Sequence, residues 1–314
     1  MSPERYGVGW APARVSLAGN PSDGYGGAVL ALALDRWSAH ARASLADRLT
    51  LRPDSRLVRA TVRRFARELE PRALNTAIHW ESAIPRDVGL AGSSAVVIAV
   101  LRALCDLFGV ALGRERLAEL ALAVELHELG IQAGPQDRVA QAHGGLTFMD
   151  FVSGRHEALD PGLLPALLIA WRPEAGGPSG DTHAALRRRF ADGEPSVLEG
   201  IGELAGAARR ARAGLLAGEL DEFRGAIDAT MDVRRRMLVL DPRCLEMVEA
   251  ARRSGASANY TGSGGAIVAA PGAPAQLGAV RQALERLGCH TARWSFTTPS
   301  HPVDAPVTRV SPLT

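Results

Sequence analysis

The sequence predicts an α+β protein. Short apolar segments of strand character, such as residues 13–18 and 28–35, alternate with longer segments whose apolar residues recur at helical spacing, such as 97–108. Clusters of Gly, Pro, Ser and Asp separate these segments and indicate turns. The chain has 314 residues, of which 46% are hydrophobic and 22% are charged, so it has the length and composition for one large or two medium domains with a packed core.

The first predicted strand leads into a loop rich in turn residues. Ala13 to Ala18 has strand character, Asn20 to Gly27 is rich in Gly, and Ala28 to Asp35 is a second apolar segment, so a tight hairpin is predicted. Turn geometry explains most residues of this loop. The polar side chains that can also lie against a ligand are those of Arg14, Asn20, Ser22 and Asp23.

A Gly-rich loop with the sequence PRDVGLAGSSA occupies residues 85–95, between a predicted strand and the apolar helix. Such a loop is a good anion site, because it combines backbone N–H groups that lack intrahelical partners with the positive end of the helix dipole. Gly89 and Gly92 lack a Cβ, so a phosphate chain can approach the backbone closely. Ser93 and Ser94 can contact phosphate oxygens or a magnesium ion, and a role only as helix caps is an equally good explanation.

Charge and cysteine content limit the classes of function. The chain contains no Lys, so all 36 basic residues are Arg and the lysine contact of a P-loop is excluded. A formal net charge of +2 does not indicate nucleic-acid binding. Three Cys that lie far apart, without a CxxC motif, argue against structural zinc and for a reducing compartment. We expect a cytoplasmic protein, monomeric or homodimeric, with no nucleic-acid or membrane partner, since no signal peptide or membrane span is recognised.

Residues 114–129 predict a helix with two acids near its C-terminal end. Glu125 and Glu128 are three residues apart and therefore share a face. Acids are unfavourable at a helix C-terminus, so a nearby cation would stabilise them, and Mg²⁺ is a candidate because it prefers oxygen ligands. Two exposed acids on a surface turn are the simpler alternative. Asp137 then stands at the start of a short predicted helix (137–142), where Asp is a common N-cap.

The C-terminal half predicts mostly helices and a second glycine-rich loop, at residues 259–270, that runs into a strand. Residues 172–182 are too rich in Gly and Pro for regular structure, and the Pro-rich tail from Thr297 is expected to be poorly ordered. Arg234 to Arg236 cannot all share one face, so one or two can pair with an anionic substrate, or the run can form a solvated helix end. The remaining predicted elements are strands at 163–171 and 291–296 and helices at 183–190, 197–215, 219–237, 245–255 and 276–287.

Three of these stretches resemble the three motifs of the GHMP kinases, the family of galactokinase, homoserine kinase, mevalonate kinase and phosphomevalonate kinase. Residues 11–27 resemble the first motif, PRDVGLAGSSA resembles the phosphate-binding motif, and TGSGGA (261–266) resembles the third. The likeness covers about residues 10–296. It implies a two-domain α+β fold, with a ribosomal-protein-S5-like N-terminal domain (1–160) that holds the ATP-binding loop and the catalytic Asp, and a ferredoxin-like C-terminal domain (161–314) that holds the second glycine loop.

The resemblance also implies roles for individual residues in transfer of the γ-phosphoryl group of ATP, with Mg²⁺, to a hydroxyl group. Asp137, in the stretch AGPQDRVAQAHGG, would take the proton from the acceptor hydroxyl, and Arg14 would stabilise the developing charge. ATP would be bound by Pro85, Gly89, Leu90, Ala91, Gly92, Ser93, Ser94 and Ala95. Mg²⁺ would be held by Ser94 with Glu125 or Glu128. The acceptor would be bound by Asn20, Ser22, Asp23, Arg234, Thr261, Gly262, Ser263 and Gly264.

Within the family, the likeness is greatest to the glucuronokinases. Most GHMP kinases carry Gly-Glu-His or a similar sequence after the first strand, whereas this chain carries GNPSD (residues 19–23), as glucuronokinases do. That resemblance implies phosphorylation of the anomeric hydroxyl of D-glucuronate, whose carboxylate would pair with Arg14 or with Arg234 to Arg236. The alternatives are a kinase for galacturonate, a neutral hexose or a heptose, and a catalytically silent family member that binds a ligand as a regulator.

Overall fold

The computed structural model describes residues 5–175 and 180–295, so the Pro-rich tail from Thr297 lies outside the described residues. The strands of the described part are β1 (Tyr6–Ala18), β2 (Ala28–Leu45), β3 (Thr50–Arg52), β4 (Thr76–Ser82), β5 (Leu146–Asp150), β6 (Arg155–Leu159), β7 (Leu167–Trp171), β8 (Ala256–Tyr260), β9 (Ala266–Pro271) and β10 (His290–Trp294). Its helices are α1 (Arg56–Glu68), α2 (Gly92–Phe108), α3 (Arg114–Ala123), α4 (Gln136–His143), α5 (Gly180–Ala191), α6 (Pro195–Ala217), α7 (Leu220–Met237), α8 (Pro242–Arg253) and α9 (Leu277–Arg286).

Two sheets organise the described chain. The first has the order β3-β4-β2-β5-β6, with β1 also paired to β2. Strand β2 is long enough to pair with β5 through its first part and with β4 through its last part, so it joins the two sides of this sheet. The second sheet has the order β10-β7-β9-β8 and is antiparallel. Helices pack against both sheets, and helices and strands follow one another along the chain without a regular alternation. This arrangement confirms the predicted α+β class.

Helix α2 is the central helix of the N-terminal half. Most of its residues are apolar, side chains such as Leu101 and Leu104 are fully buried, and the helix packs across β1 and β2. An apolar helix is expected to be buried on nearly all sides. It ends at Gly109, which adopts the left-handed conformation. Because the sheet holds the helix along its length, the first turn of α2 has a defined position.

The hydrophobic core is continuous between the two sheets. One cluster of buried residues extends from Ala11 in β1 to Ala270 in β9 and includes residues of α6 and α7. A second cluster lies between α8 and the second sheet, and a third joins α5 to α6 and α7. The domain boundary expected at residue 160 falls between β6 and β7 and stays a prediction. No helix of the described residues combines the length and the apolar character needed to cross a membrane.

Three local differences separate the structure from the expectations. The helix expected over 114–129 ends at Ala123 and continues as a π-helical turn, Val124–Glu128. The helix expected from His183 begins at Gly180, within the segment expected to lack regular structure. Strands β6 and β8 were not expected, because they contain few large apolar residues and form through pairing with β5 and β9.

Candidate active site

A cavity of about 730 Å³ brings the motif stretches together. It is lined by the loop after β1, the loop before α2 with the first turn of that helix, the loop before α4, helix α5, and the loop between β8 and β9. Its volume is within the range of small-molecule sites, about 300–1,000 Å³. Segments that are more than 200 residues apart in the sequence therefore contribute to one concave site.

The first turn of α2 opens into this cavity without a side-chain cap. The helix begins at Gly92, and its N-cap residue is Ala91, whose side chain cannot accept a hydrogen bond. Ser94 Oγ donates to the Ala91 carbonyl oxygen (3.2 Å), and Ser93 is exposed at the cavity wall. Neither serine therefore caps the helix. The free N–H groups of the turn point to an anion site.

The loop before α2 is braced by the glycine loop between β8 and β9. Gly89 has a φ of +73°, and a Cβ there would lie 2.3 Å from the carbonyl oxygen of Thr261. Gly262 has a φ of +54°, and its Cβ would lie 2.6 Å from the carbonyl oxygen of Gly89. Glycine is needed at both positions because the two backbones touch. At Gly92, in contrast, the nearest atom would be 3.6 Å away, so this position leaves free space at the cavity wall.

Arg14 joins three stretches that are far apart in the sequence. Two of its nitrogens contact Oδ1 of Asp137, at 2.7 and 2.6 Å. It also donates to the carbonyl oxygen of Gly89 (2.6 Å) and to Oγ1 of Thr261 (3.2 Å). Its side chain is 3% exposed, so these bonds hold both the guanidinium and the Asp137 carboxylate in place. The result is a carboxylate positioned beside the anion site.

Asp23 is buried next to this pair. Its Oδ2 accepts a hydrogen bond from the backbone N–H of Gln136 (3.2 Å), the first residue of α4. Burial raises the pKa of Asp23 to about 6, and the nearby charge of Asp137 adds to the rise. Two buried oxygens at the cavity, Oδ1 of Asn20 and Oε1 of Gln136, have no hydrogen-bond partner among the described residues. Hydroxyl groups of a ligand can satisfy such oxygens.

The two acids expected to share a helix face point in different directions. The π-helical turn increases the number of residues per turn, so residues three apart diverge. Glu125 lines the cavity, whereas Glu128 pairs with Arg64 (3.5 Å) and Arg67 of α1. The expectation that Glu128 can hold a metal in the site is thus corrected, because its carboxylate is used in a salt-bridge network away from the cavity.

Glu125 and Ser94 remain as the candidate metal ligands. Glu125 is 3% exposed, and its Oε2 pairs with Arg138. Its other oxygen, Oε1, has no hydrogen-bond partner within the described part of the chain. Burial raises the pKa of Glu125, although the Arg138 charge opposes the rise. A buried carboxylate oxygen without a partner fits a hard cation such as Mg²⁺, which prefers oxygen ligands.

Arg234, expected to bind the acceptor, lies in the core instead. Its guanidinium stacks 3.3 Å from the centroid of the Tyr260 ring and donates to the carbonyl oxygens of Tyr260 and Gly262, the latter at 2.8 Å. The expectation is corrected because these carbonyls occupy its donors and only 2% of the residue is exposed. Arg235 and Arg236 are exposed and pair with glutamates outside the cavity. Arg234 therefore stabilises the glycine loop between β8 and β9 through hydrogen bonds to its backbone.

Other expected ligand-binding residues have structural positions. Ser22 is fully buried and donates to the carbonyl oxygen of Ala28 (2.9 Å). Thr261 is fully buried and accepts the N–H of Ser16 (2.9 Å) as well as Arg14. The expected residues that are not among those lining the cavity are Ser22, Pro85, Leu90, Ala95, Glu128, Arg234, Thr261 and Gly264. Those that do line it are Arg14, Asn20, Asp23, Gly89, Ala91, Gly92, Ser93, Ser94, Glu125, Asp137, Gly262 and Ser263.

Several wall residues were not recognised from the sequence. Leu57 and Trp80 present apolar surface, and Nε1 of Trp80 donates to the Pro53 carbonyl oxygen (2.9 Å), which holds the ring. Tyr25 and Arg187 line the wall beside Asp23. No local pattern distinguishes these residues, because their side chains meet only through the packing of distant elements. The one available signal was the run of three arginines at 187–189, and that run does not show which of them faces a pocket.

Comparison with known proteins identifies related chains and a shared fold. A family model described as the GHMP kinases N-terminal domain matches residues 56–145. Among solved structures, the Lactococcus lactis galactokinase complexed with galactose has a TM-score of 0.75 at 18% identity, covering 92% of each chain. The Streptococcus pneumoniae phosphomevalonate kinase has a TM-score of 0.76 at 16% identity, covering 92% of this chain and 99% of the other. At these identities the structures show a shared fold.

Two curated relatives extend the match over most of the chain. Glucuronokinase 1 of Arabidopsis thaliana is 30% identical, over 88% of this chain and 88% of its own length. Probable glucuronokinase 2 of the same plant is 32% identical, over 88% of this chain and 87% of its own length. Sequence identity at this level over this length, together with the matching family model and fold, shows that the chain belongs to the GHMP kinase family.

Proposed function

We propose that this kinase transfers the γ-phosphoryl group of ATP to the anomeric hydroxyl of a sugar acid, D-glucuronate, and so forms glucuronate 1-phosphate. The observation that carries the proposal is the Arg14–Asp137 pair beside the uncapped first turn of α2, within one cavity. This arrangement supplies an anion site and a positioned base next to each other. Phosphoryl transfer requires mainly positioning and charge stabilisation.

The nucleotide side of the cavity comprises the loop of residues 85–91, the first turn of α2, and the apolar side chains of Leu57 and Trp80. The free N–H groups of the turn bind the triphosphate, with Ser93 and Ser94 as hydroxyl ligands. Leu57 and Trp80 offer a flat apolar surface for the adenine ring. The cations on this side are Arg56 and Arg86, which have no ion-pair partner among the described residues and can contact phosphate oxygens.

The acceptor side comprises Asp137, Arg14, Asp23 and the unpartnered oxygens of Asn20 and Gln136. Asp137 accepts the proton of the acceptor hydroxyl while the hydroxyl oxygen bonds to the γ-phosphorus and the bond to the β-phosphate oxygen breaks. Arg14 holds the carboxylate and stabilises the negative charge that develops near it. The oxygens of Asn20 and Gln136 orient the sugar by accepting hydrogen bonds from its hydroxyls.

Ser94 and Glu125 would hold Mg²⁺ in this proposal. Both line the cavity, and Glu125 has a free buried oxygen. When bound, the ion would neutralise charge on the phosphate oxygens. Arg138, which pairs with Glu125, keeps that carboxylate oriented toward the cavity.

A cytoplasmic location is part of the same proposal, supported by three cysteines that form no disulfide in the described structure.

Glucuronate is the preferred acceptor because the two glucuronokinases align over most of this chain. A kinase for another sugar is the second candidate, favoured by a match to a heptose 7-phosphate kinase of Campylobacter jejuni, which is 33% identical over 31% of this chain and 29% of its own length. The silent-regulator alternative is disfavoured by the paired Asp137 and the open anion site.

The test is an acceptor panel. The purified protein is incubated with Mg-ATP and glucuronate, galacturonate, glucose, galactose and a heptose, with ADP release and phosphorus NMR as readouts. We expect glucuronate to have the highest kcat/KM and to yield a phosphate on the anomeric oxygen. Turnover of another sugar with no turnover of glucuronate would keep the kinase and reject the acceptor, and absence of ATP binding would reject both.

A further inference from the structure

A sugar acid requires a cation on the acceptor side, and none of the expected arginines supplies a free one. Arg14 is used by Asp137, Gly89 and Thr261, and Arg234 is used by backbone carbonyls. Two ring carbons of glucuronate are bonded to the ring oxygen. One is the anomeric carbon, and the other carries the carboxylate. The cation that binds this carboxylate must therefore lie about the length of one sugar ring from Asp137. It must also be a residue other than Arg14, which is already paired with Asp137.

Arg187 of α5 meets this requirement. It lines the cavity, is half-buried, and has no ion-pair partner among the described residues. Its Nε is buried and lacks a hydrogen-bond partner within the described part of the chain. A buried guanidinium nitrogen without an acceptor is unfavourable in the free protein, because its lost hydration is not replaced. A ligand carboxylate in the cavity would supply the missing acceptor.

Arg187 lies on the acceptor side of the cavity, because Asp23 and Tyr25 line the same cavity and the ring of Phe190, in the helix of Arg187, contacts the Tyr25 ring. Burial raises the pKa of the Tyr25 hydroxyl, the charge of Arg187 opposes that rise, and the charge of Asp23 adds to it. Asp23 in turn is within the influence of Asp137 and Arg14. Together with the ring contact, these charge effects indicate an order along the cavity wall from Asp137 through Asp23 and Tyr25 to Arg187. The other unpaired cations of the wall, Arg56 and Arg86, belong to the nucleotide side.

The residues around Arg187 hold α5 in place. Leu186 is 1% exposed and packs with α6 and α7, and the Phe190 ring lies 4.6 Å from the ring centroid of Tyr25. Arg189 forms two hydrogen bonds with Glu194 (2.7 and 2.6 Å) and one with the Met237 carbonyl oxygen (2.6 Å). The neighbouring side chains thus anchor the helix, while the guanidinium of Arg187 is left for a ligand. A rigid helix is a better support for a binding group than a loop.

We infer that Arg187 is the carboxylate-binding residue of the acceptor subsite and the determinant that selects a sugar acid over a neutral sugar. This inference rests on the proposed function, because it assigns the group that recognises the proposed acceptor. A planar guanidinium pairs with a carboxylate through two parallel hydrogen bonds, which a neutral hydroxymethyl group cannot form.

The test compares glucuronate with glucose, which carries a hydroxymethyl group in place of the carboxylate. We expect Arg187→Gln to raise KM for glucuronate about 10- to 100-fold, as for loss of hydrogen bonds to a charged group, with KM for ATP and kcat/KM for glucose unchanged. Arg187→Lys keeps the charge and restores part of the loss. Arg188→Gln is the matched control, because Arg188 is exposed on the same helix and outside the cavity wall.

The possible outcomes separate the two proposals. Normal glucuronate kinetics in folded Arg187→Gln, or equal loss in Arg188→Gln, would overturn the assignment and leave the proposed function intact. A wild-type enzyme that phosphorylates only neutral sugars would overturn both. Calorimetric titration of glucuronate in the presence of a non-hydrolysable ATP analogue gives the same comparison without turnover: binding that is weakened only in Arg187→Gln supports the assignment, and equal or absent binding in wild type and variant rejects it.

Discussion

The nucleotide side and the acceptor side of the cavity bind through different parts of the chain. In the proposed function, the binding groups on the nucleotide side are mainly backbone N–H groups of the first turn of α2, next to the loop contact between Gly89 and Gly262. On the proposed acceptor side they are charged and polar side chains of the cavity wall, among them Asp137, Arg14 and Arg187. The first side depends on where the backbone runs, and the second depends on which side chains it carries.

Because of this difference, the affinity for ATP should depend mainly on the backbone, and the choice of acceptor should depend mainly on side chains. A backbone anion site is insensitive to most side-chain substitutions, provided that the glycines let the loops meet. The acceptor side can change its preference through a single charged residue, because a buried polar group left unpaired discriminates strongly between ligands. Variants on the two sides should therefore fail in different ways.

The largest effect is expected on the acceptor side, from Asp137→Asn. Asparagine cannot accept the proton of the acceptor hydroxyl, so kcat should fall by about 10²- to 10⁴-fold, the usual contribution of a general base. ATP binding should be retained, because the free N–H groups of α2 do not involve this residue. Steady-state kinetics and calorimetric titration of an ATP analogue measure the two quantities. An unchanged kcat would reject Asp137 as the base.

On the nucleotide side, Gly89→Ala should disturb the contact between the loops. The added Cβ would meet the Thr261 carbonyl oxygen at 2.3 Å, in a left-handed conformation that Ala rarely adopts. We expect the free energy of unfolding to fall by about 1–3 kcal/mol, with weaker ATP binding. Gly92→Ala is the matched control for stability, because no atom lies closer than 3.6 Å to its new Cβ. Equal destabilisation by both substitutions would show that the loop contact is not what requires Gly89.

Glu125 lines the same cavity, and Glu125→Gln should weaken the binding of Mg²⁺. Loss of the carboxylate charge should raise the free Mg²⁺ concentration for half-maximal activity about 10- to 100-fold, as for loss of an interaction with a charged group. Glu128→Gln is the control, since Glu128 also pairs with arginines but lies outside the cavity wall. A shift for Glu128→Gln with none for Glu125→Gln would reverse the assignment made from the structure.

The two sides also differ in how far they could be predicted. The spacing of Gly89, Gly92, Ser93 and Ser94 is a local signal, and it located the loop and the start of the helix. The acceptor side depends on packing over long distances. Which arginine of the run 187–189 faces the cavity is decided by how α5 packs through its neighbours, and a helical wheel for α5 alone does not include that information. Arg234 illustrates the converse, since its burial could not be inferred from its place in an arginine run.

The separation of Glu125 from Glu128 has a different physical origin. The expectation that both acids share a face assumed an α-helix to Leu129, and the π-helical turn removed that condition. The local sequence VELHE carries no marker for such a turn. Its carboxylates are instead compensated by arginines from α1 and α4, which are 61 and 13 residues away in the two hydrogen-bonded pairs. Ion pairs of this range arise from the tertiary fold.

The smallest expected effect concerns Asp23 on the acceptor side. Because burial raises its pKa, its contribution to the stability of the protein depends on pH. Its folded-state pKa of about 6 exceeds the ordinary value of 3.8, so the folded protein binds this proton more tightly than the unfolded chain. The contribution of Asp23 to stability is therefore most favourable below pH 3.8 and declines as pH rises toward 6. Asp23→Asn removes this titration.

The measurement is the difference in Tm between wild type and Asp23→Asn across this pH range. We expect the Tm of wild type to fall relative to that of the variant by about 2–4 °C between pH 4 and pH 7. ATP binding should be the same in both proteins at every pH, because Asp23 contacts the start of α4 and not the first turn of α2. A constant difference in Tm would mean that Asp23 is solvated enough to keep its ordinary pKa, and that the acceptor side is more open to water than its burial indicates.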